Sequence, residues 1–143
     1  MYDVSEEMER SLKRHNRDTA IRTMCDEYRS IAYINLDNDT IEFYREDKAL
    51  GDWQTGLVGY EQTIGVFADK FVDEEDRANY KYMLSAMVLK KKLQEEEAFR
   101  FEYGRKDAKG EVRMHEAKLK RDLNNLSGFN VILGTRDIEK DVK

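Results

Sequence analysis

The sequence predicts an α+β domain built on an antiparallel sheet, and three observations predict it. Two short strand-like runs, 31–36 and 40–45, flank a strong turn. Apolar stripes at helical spacing then follow from 60 to 93. Three further strand-like stretches come after 98. Runs of strands kept apart from a run of helices give this class rather than a parallel βαβ sheet. A chain of 143 residues has the length of one domain and can bury one core. Its 40% apolar and 38% charged composition describes a globular protein with a heavily charged surface.

Residues 1–29 read as an amphipathic helix. Ser5 is placed to cap it, and Glu6, Glu7 and Glu9 fall in the first turn, where the helix dipole favours negative charge. Met8 and Leu12 form a thin seam, while Ile21, Met24, Cys25 and Tyr28 form a second stripe. Two roles stay open for it: pairing with its copy in a dimer, or covering the sheet.

Ile31–Leu36 and Thr40–Arg45 form a hairpin around Asp37-Asn38-Asp39. That acidic turn lacks the Gly and the terminal Glu of a calcium loop, so a turn explains it better. Residues 46–59 hold three glycines and read as an irregular connection with a helical turn near Trp53. Tyr60, Ile64, Phe67, Ala68 and Phe71 make one apolar helix face. Asp73 is placed to cap the next helix, whose face is Tyr80, Met83, Leu84, Met87 and Val88; Ser85 can split it, and it ends near Leu93.

Phe99, Phe101 and Tyr103 alternate with Arg100 and Glu102 as a half-exposed strand, and 106–110 is a turn. In the next strand, 111–121, the apolar parity slips between Val112/Met114 and Ala117/Leu119, which predicts a β-bulge near His115-Glu116. After a turn at 124–128, Phe129–Leu133 reads as a strand buried on both faces. Gly134 thins it, and Asp137-Ile138-Glu139 closes it.

The ordered set resembles a PAS domain, a sensor module of bacterial signalling receptors. Four stretches carry the resemblance: Tyr28–Asp37 as the opening strand and turn; Glu75-Asp76-Arg77 at a helix start, with Asp73 and Glu74 where the family has His and Pro; the strand–Gly–strand pair 99–103 and 110–119; and Gly134–Glu139, similar to an Asp-Ile-Thr exit with Glu139 in place of Thr. The resemblance implies a PAS-like five-stranded antiparallel sheet with its last strand beside its first. Helices would cover one face and enclose a small pocket. It divides the chain into a leading helix (1–27), a sensor domain (28–138) and the start of a C-terminal linker (139–143).

In its details the chain looks like PAS domains placed ahead of histidine kinase or diguanylate cyclase output domains, as in two-component systems. No output sequence is present, so the chain is expected to be part of a longer receptor that dimerises in the cytoplasm. The resemblance also gives Asp137 and Ile138 a relay role. The plainer reading is that Asp137 caps a tail helix, and both can hold together.

Catalytic chemistry is not expected. His15 and His115 have no nucleophile or acid at triad spacing, and two distant His do not make a metal site. An isomerase-type enzyme would need a buried carboxylate base, and only Glu102 or Glu116 could supply it. No cofactor is expected: Met24-Cys25-Asp26 does not match the family's flavin-linked Asn-Cys-Arg run, and Trp53–Glu97 holds no His for haem. A small organic ligand, or none, remains. Pocket candidates are Tyr33, Phe43, Phe67, Tyr80, Met83, Met87, Phe101 and Leu133, with Arg113 or His115 as polar anchors; the same stripes also fit a filled core. A net charge of −5 with interspersed signs argues against nucleic acid, and no apolar run reaches the ~20 residues of a membrane helix. The single Cys25 excludes an internal disulfide.

Overall fold

The hairpin sets the frame. In the computed structural model, β1 (Ser30–Asn35) and β2 (Thr40–Arg45) pair antiparallel around the acidic turn. The structure describes residues 28–46, 50–107, 109–123 and 128–139. Residues 1–27 of the expected leading helix, the turn at 124–127 and the tail 140–143 lie outside the described residues, while Tyr28 and Arg29, expected at the end of that helix, are not helical and lead directly into β1.

The acidic turn joins more than two strands. Asn35 Oδ1 accepts from the backbone N–H groups of Asp37 and Asn38, which tightens the reversal. Asp39 adopts a left-handed φ of 54°, a conformation Asp tolerates. Its carboxylate accepts from Glu61 N and its carbonyl from Tyr60 N, so the turn caps helix α1 (Tyr60–Phe71) from a distance. Gly59 precedes that helix with φ 88°, and a Cβ there would lie 2.6 Å from the Asp39 carboxylate. Asp37 meanwhile accepts from Phe129 N and pairs with Lys90 at 2.8 Å. The Lys90 hydrogen bond, then that of Phe129 N–H, holds the Asp37 carboxyl below its usual range.

Helices α2 (Glu74–Met83) and α3 (Ala86–Glu95) are separated at Ser85, whose hydroxyl caps α3 by accepting from Val88 N. Asp73 occupies the N-cap of α2 without a side-chain cap bond; its backbone N–H bonds instead to Gly104 O. Two residues in the first turn of α2 lock the corner. Asp76 accepts from Gly104 N at 2.7 Å, and Arg77 donates to the carbonyls of Ala68 and Val72 at the end of α1. Gly104 has no room for a side chain, since a Cβ would lie 2.9 Å from Val112 Cγ1.

Strands β3 (Ala98–Lys106), β4 (Val112–Arg121) and β5 (Asn130–Asp137) complete a five-stranded antiparallel sheet ordered β2-β1-β5-β4-β3. The closing strand is central, bonded to β1 on one side and β4 on the other. The expected bulge at His115-Glu116 is absent. The β3–β4 register runs unbroken from Ala98↔Lys120 to Lys106↔Val112. The parity slip has another cause: Val112 and Met114 are simply exposed, at 47% and 37%, on the face opposite Ala117 and Leu119. The sheet's irregularity falls instead between Ile31 and Ala32.

Alternation then sorts each strand. Ile34, Tyr103, Ala117, Leu119, Val131 and Leu133 face the helices and join Ile64, Phe67, Tyr80, Leu84, Leu89 and Leu93 in the main core. Tyr28, Ile31, Tyr33 and Ile132 form a separate buried cluster on the other face, with no residue of α1, α2 or α3 in it.

Candidate functional site

Between α1, α2 and the sheet lies a cavity of about 40 Å³. Its apolar wall is largely aromatic, and the rings meet edge-on: Phe43 on Trp53 at 6.0 Å and Trp53 on Phe67 at 5.3 Å. Phe67 in turn stacks on Tyr80 at 5.7 Å. Ile41, Leu50, Ile64 and Leu133 fill the spaces between them. Ser30, Thr135, Arg105, Glu46 and Gln54 supply the polar lining. Ser30 and Thr135 are register partners across β1 and β5, so their side chains stand together on one face.

Of the residues singled out from the sequence, Phe43, Phe67, Tyr80 and Leu133 line this cavity. Phe101 packs in the core, edge-on to Tyr80 at 6.0 Å, without reaching it. Tyr33 lies on the opposite face, where its hydroxyl donates to Asp122 at 2.6 Å. Strand parity is the reason, because odd and even positions of β1 leave the sheet in opposite directions. Met87 is 76% exposed and lines a surface groove beside Tyr60, Ser85 and Gly65; Met83 is half-buried. The break at Ser85 turns Met87 outward, where one continuous helix would have carried it inward.

Arg113 and His115 belong to a second constellation, at the end of β5. Arg113 Nε donates to Asp137 at 2.6 Å, and a second nitrogen reaches the Glu139 carbonyl at 3.1 Å. Ile138 N–H bonds to Met114 O, and the Glu139 carboxylate accepts from Met114 N at 2.8 Å. Asp137 also accepts from the Glu139 backbone N–H. Burial alone would raise its pKa. The Arg113 and Glu139 hydrogen bonds and the charges of His115 and Arg113 together prevail, holding it below the usual carboxylate range. His115, buried and cross-strand from Asp137, places Nδ1 3.0 Å from the Arg113 carbonyl and its ring 6.0 Å from Tyr103.

Sequence reasoning missed Arg105, Trp53, Ser30 and Thr135. Arg105 had a signal: it continues the odd-numbered inward face of Phe99, Phe101 and Tyr103 by one more step. Ser30 and Thr135 likewise share parity with Ala32 and Leu133. Trp53 had no periodic signal, because its loop reaches the core only through tertiary folding. Tyr80 is wholly buried, and its hydroxyl pKa is raised by burial first and then by Tyr103 and Tyr60, against a lowering influence of Arg105. The phenol is therefore neutral. Glu116 is buried on the face away from the helices, with Arg136 at 3.4 Å and the Tyr28 hydroxyl at 3.2 Å. Glu102 is exposed. Among the described residues no cluster of His, Cys, Asp or Glu could hold a metal ion, and no helix is long and apolar enough to cross a membrane.

A five-stranded antiparallel sheet ordered 2-1-5-4-3, with helices inserted between its second and third strands, is an α+β arrangement with the last strand beside the first, as the resemblance to PAS domains implies. No protein-family profile and no curated protein matches the chain. Two solved structures are similar in fold. One is a PAS domain from a two-component sensor histidine kinase, 10% identical with a TM-score of 0.43 over 87% of this chain and 98% of that one. The other is the PAS domain of an HTR-like protein from Haloarcula marismortui, 20% identical with a TM-score of 0.46 over 91% and 99%.

Proposed function

We propose that this chain is a sensory or regulatory module, without catalysis of its own, that couples its helix-covered cavity to the segment following β5. One observation carries the reading: a single central strand serves both places. Leu133 and Thr135 line the cavity, and two residues later Asp137 is clamped by Arg113. A rigid strand shared by two sites is a physical route by which occupancy at one biases the other. Asp137 and Ile138 are the relay residues in this reading. An output domain in the same polypeptide, a histidine kinase or a diguanylate cyclase, would receive the signal in a cytoplasmic dimer.

The test is amide hydrogen exchange on the whole chain. Leu133→Phe enlarges a cavity-lining side chain, and it should change exchange at Ile138 and Glu139 at least several-fold. Asp137→Ala, with its fold checked by circular dichroism, should abolish that response. Exchange at 138–139 that ignores the cavity would remove the coupling. The small size of the cavity favours a second reading, a ligand-free dimerisation scaffold; native mass spectrometry showing a dimer with no bound small molecule would support it. The isomerase-type reading has less in its favour: the buried acid, Glu116, faces away from the cavity and is ion-paired.

A further inference from the structure

We infer that β3 is the strand along which two copies of this chain join, antiparallel and in one register, with Arg100 of each copy opposite Glu102 of the other. This rests on the dimeric form of the function proposed above and names the surface that joins the copies.

Of the two strands at the sheet's borders, β3 is the longer, nine residues against six in β2. Among the described residues, only Val72 adjoins its outer side, where it bridges to Arg105. Gly104 shows which backbone groups point outward. Its N–H donates to the Asp76 carboxylate and its carbonyl accepts from Asp73 N–H, both away from β4. Backbone direction alternates along a strand, so the N–H and C=O groups of Arg100 and Glu102 point outward too. Such a row is a template for a further strand. The α1–α2 corner closes it at Gly104, which bounds the accessible stretch at Tyr103.

Charge selects the occupant and the register. Two identical strands paired antiparallel are related by a two-fold axis, so a contact made by one copy is returned by the other. An axis centred on Arg100 or on Glu102 would set a charge against its own copy. Centred on Phe101, it sets Arg100 against Glu102 twice, and each pair exchanges both backbone hydrogen bonds. Half-buried Phe101 then meets its copy on the helix side. The pairing within the chain supplies a reason for this. Across β4, Arg100 stands directly opposite Lys118 and Glu102 directly opposite Glu116. Like charges so placed disfavour a sheet. Arg100 reaches Glu116 at 3.9 Å, with its side chain still 60% exposed, and Glu102 is exposed as well. A second copy brings the opposite charge to both.

The experiment is sedimentation equilibrium of the whole chain over a concentration series up to about 1 mM, with residue-resolved amide exchange on the dimer. The unaltered chain should dimerise, and its Arg100 and Glu102 amides should exchange at least about tenfold more slowly than open-strand amides. Glu102→Arg or Arg100→Glu alone should weaken the dimer at least about tenfold, because each sets like charges face to face twice. The two changes combined should restore it, since opposite charges meet again. Each single change also relieves a like-charge pair with β4, so circular dichroism should show the fold retained. Unprotected Arg100 and Glu102 amides in the unaltered dimer overturn the inference whether or not the variants fold. So does a double variant that dimerises no better than the single ones. A dimer that persists unchanged in both single variants overturns this surface and leaves the dimeric reading standing. A monomer at every concentration overturns both, whereas the coupling from the cavity to residues 138–139 is judged separately by the Leu133→Phe exchange test.

Discussion

Leu133 and Ile132 are neighbours on β5, and they enter two different environments. Leu133 faces the helices, where a continuous core of aromatic and aliphatic side chains surrounds a cavity. Ile132 faces the other way, into a small cluster with Tyr28, Ile31 and Tyr33, whose two phenols donate to the carboxylates of Glu116 and Asp122. The helix face is held mainly by apolar area and encloses the cavity. The far face couples a little apolar area to buried acids through oriented hydrogen bonds, which specify geometry more than they fill space. The difference places this cavity on the helix side of the sheet.

The largest effect should come from breaking the helix face. Tyr80→Ala removes a wholly buried ring that contacts Phe67, Phe101 and Tyr103. It should cost about 3–5 kcal/mol in denaturant unfolding. A loss below about 1 kcal/mol would mean that the ring is not packed in solution. Next, Ile132→Ala tests whether the far face is equally buried. Ile132 is 0% exposed, so its truncation should cost about 2–5 kcal/mol. A near-neutral result would show that the far-face cluster is open to water.

The third prediction concerns the end of β5, where the two faces meet the exit. Asp137→Asn weakens the pair with Arg113 and should cost about 1–3 kcal/mol at neutral pH. Because the folded pKa of Asp137 is depressed, its stabilisation is complete above the unfolded value of 3.8 and is lost as pH falls through the lower folded value. Melting curves of the two proteins should therefore keep a constant gap from pH 7 to about 5 and converge in stronger acid. A gap that closes between pH 7 and 5 would assign the effect to another group, His115 being the nearest.

Much of the fold was legible because it rests on periodicity. The alternation of Phe99, Phe101 and Tyr103 and the apolar face from Tyr60 to Phe71 each state which side is buried, and the continuous run 129–133 states that both are. The Asp-Ile-Glu exit likewise marked the end of the closing strand. The site was legible only in part. Phe43, Phe67, Tyr80 and Leu133 reach the cavity; Tyr33 and Met87 leave it because one residue of strand parity and one helix break reverse a side chain's direction. The slip in β4 shows the same limit from the other side, since exposed apolar residues imitate a bulge.

The sequence by itself determined the order of elements, the hairpin, the break at Ser85 and the burial of the closing strand, because these depend on residues within one or two turns of each other. Only the tertiary structure decided that Asp39 caps a helix 22 residues away, that Asp37 joins Phe129 and Lys90, that Arg113 clamps Asp137, and that Arg105 meets Ser30 and Thr135 around one cavity. Those partners are distant along the chain, and no local pattern encodes which acid will meet which base once the sheet has closed.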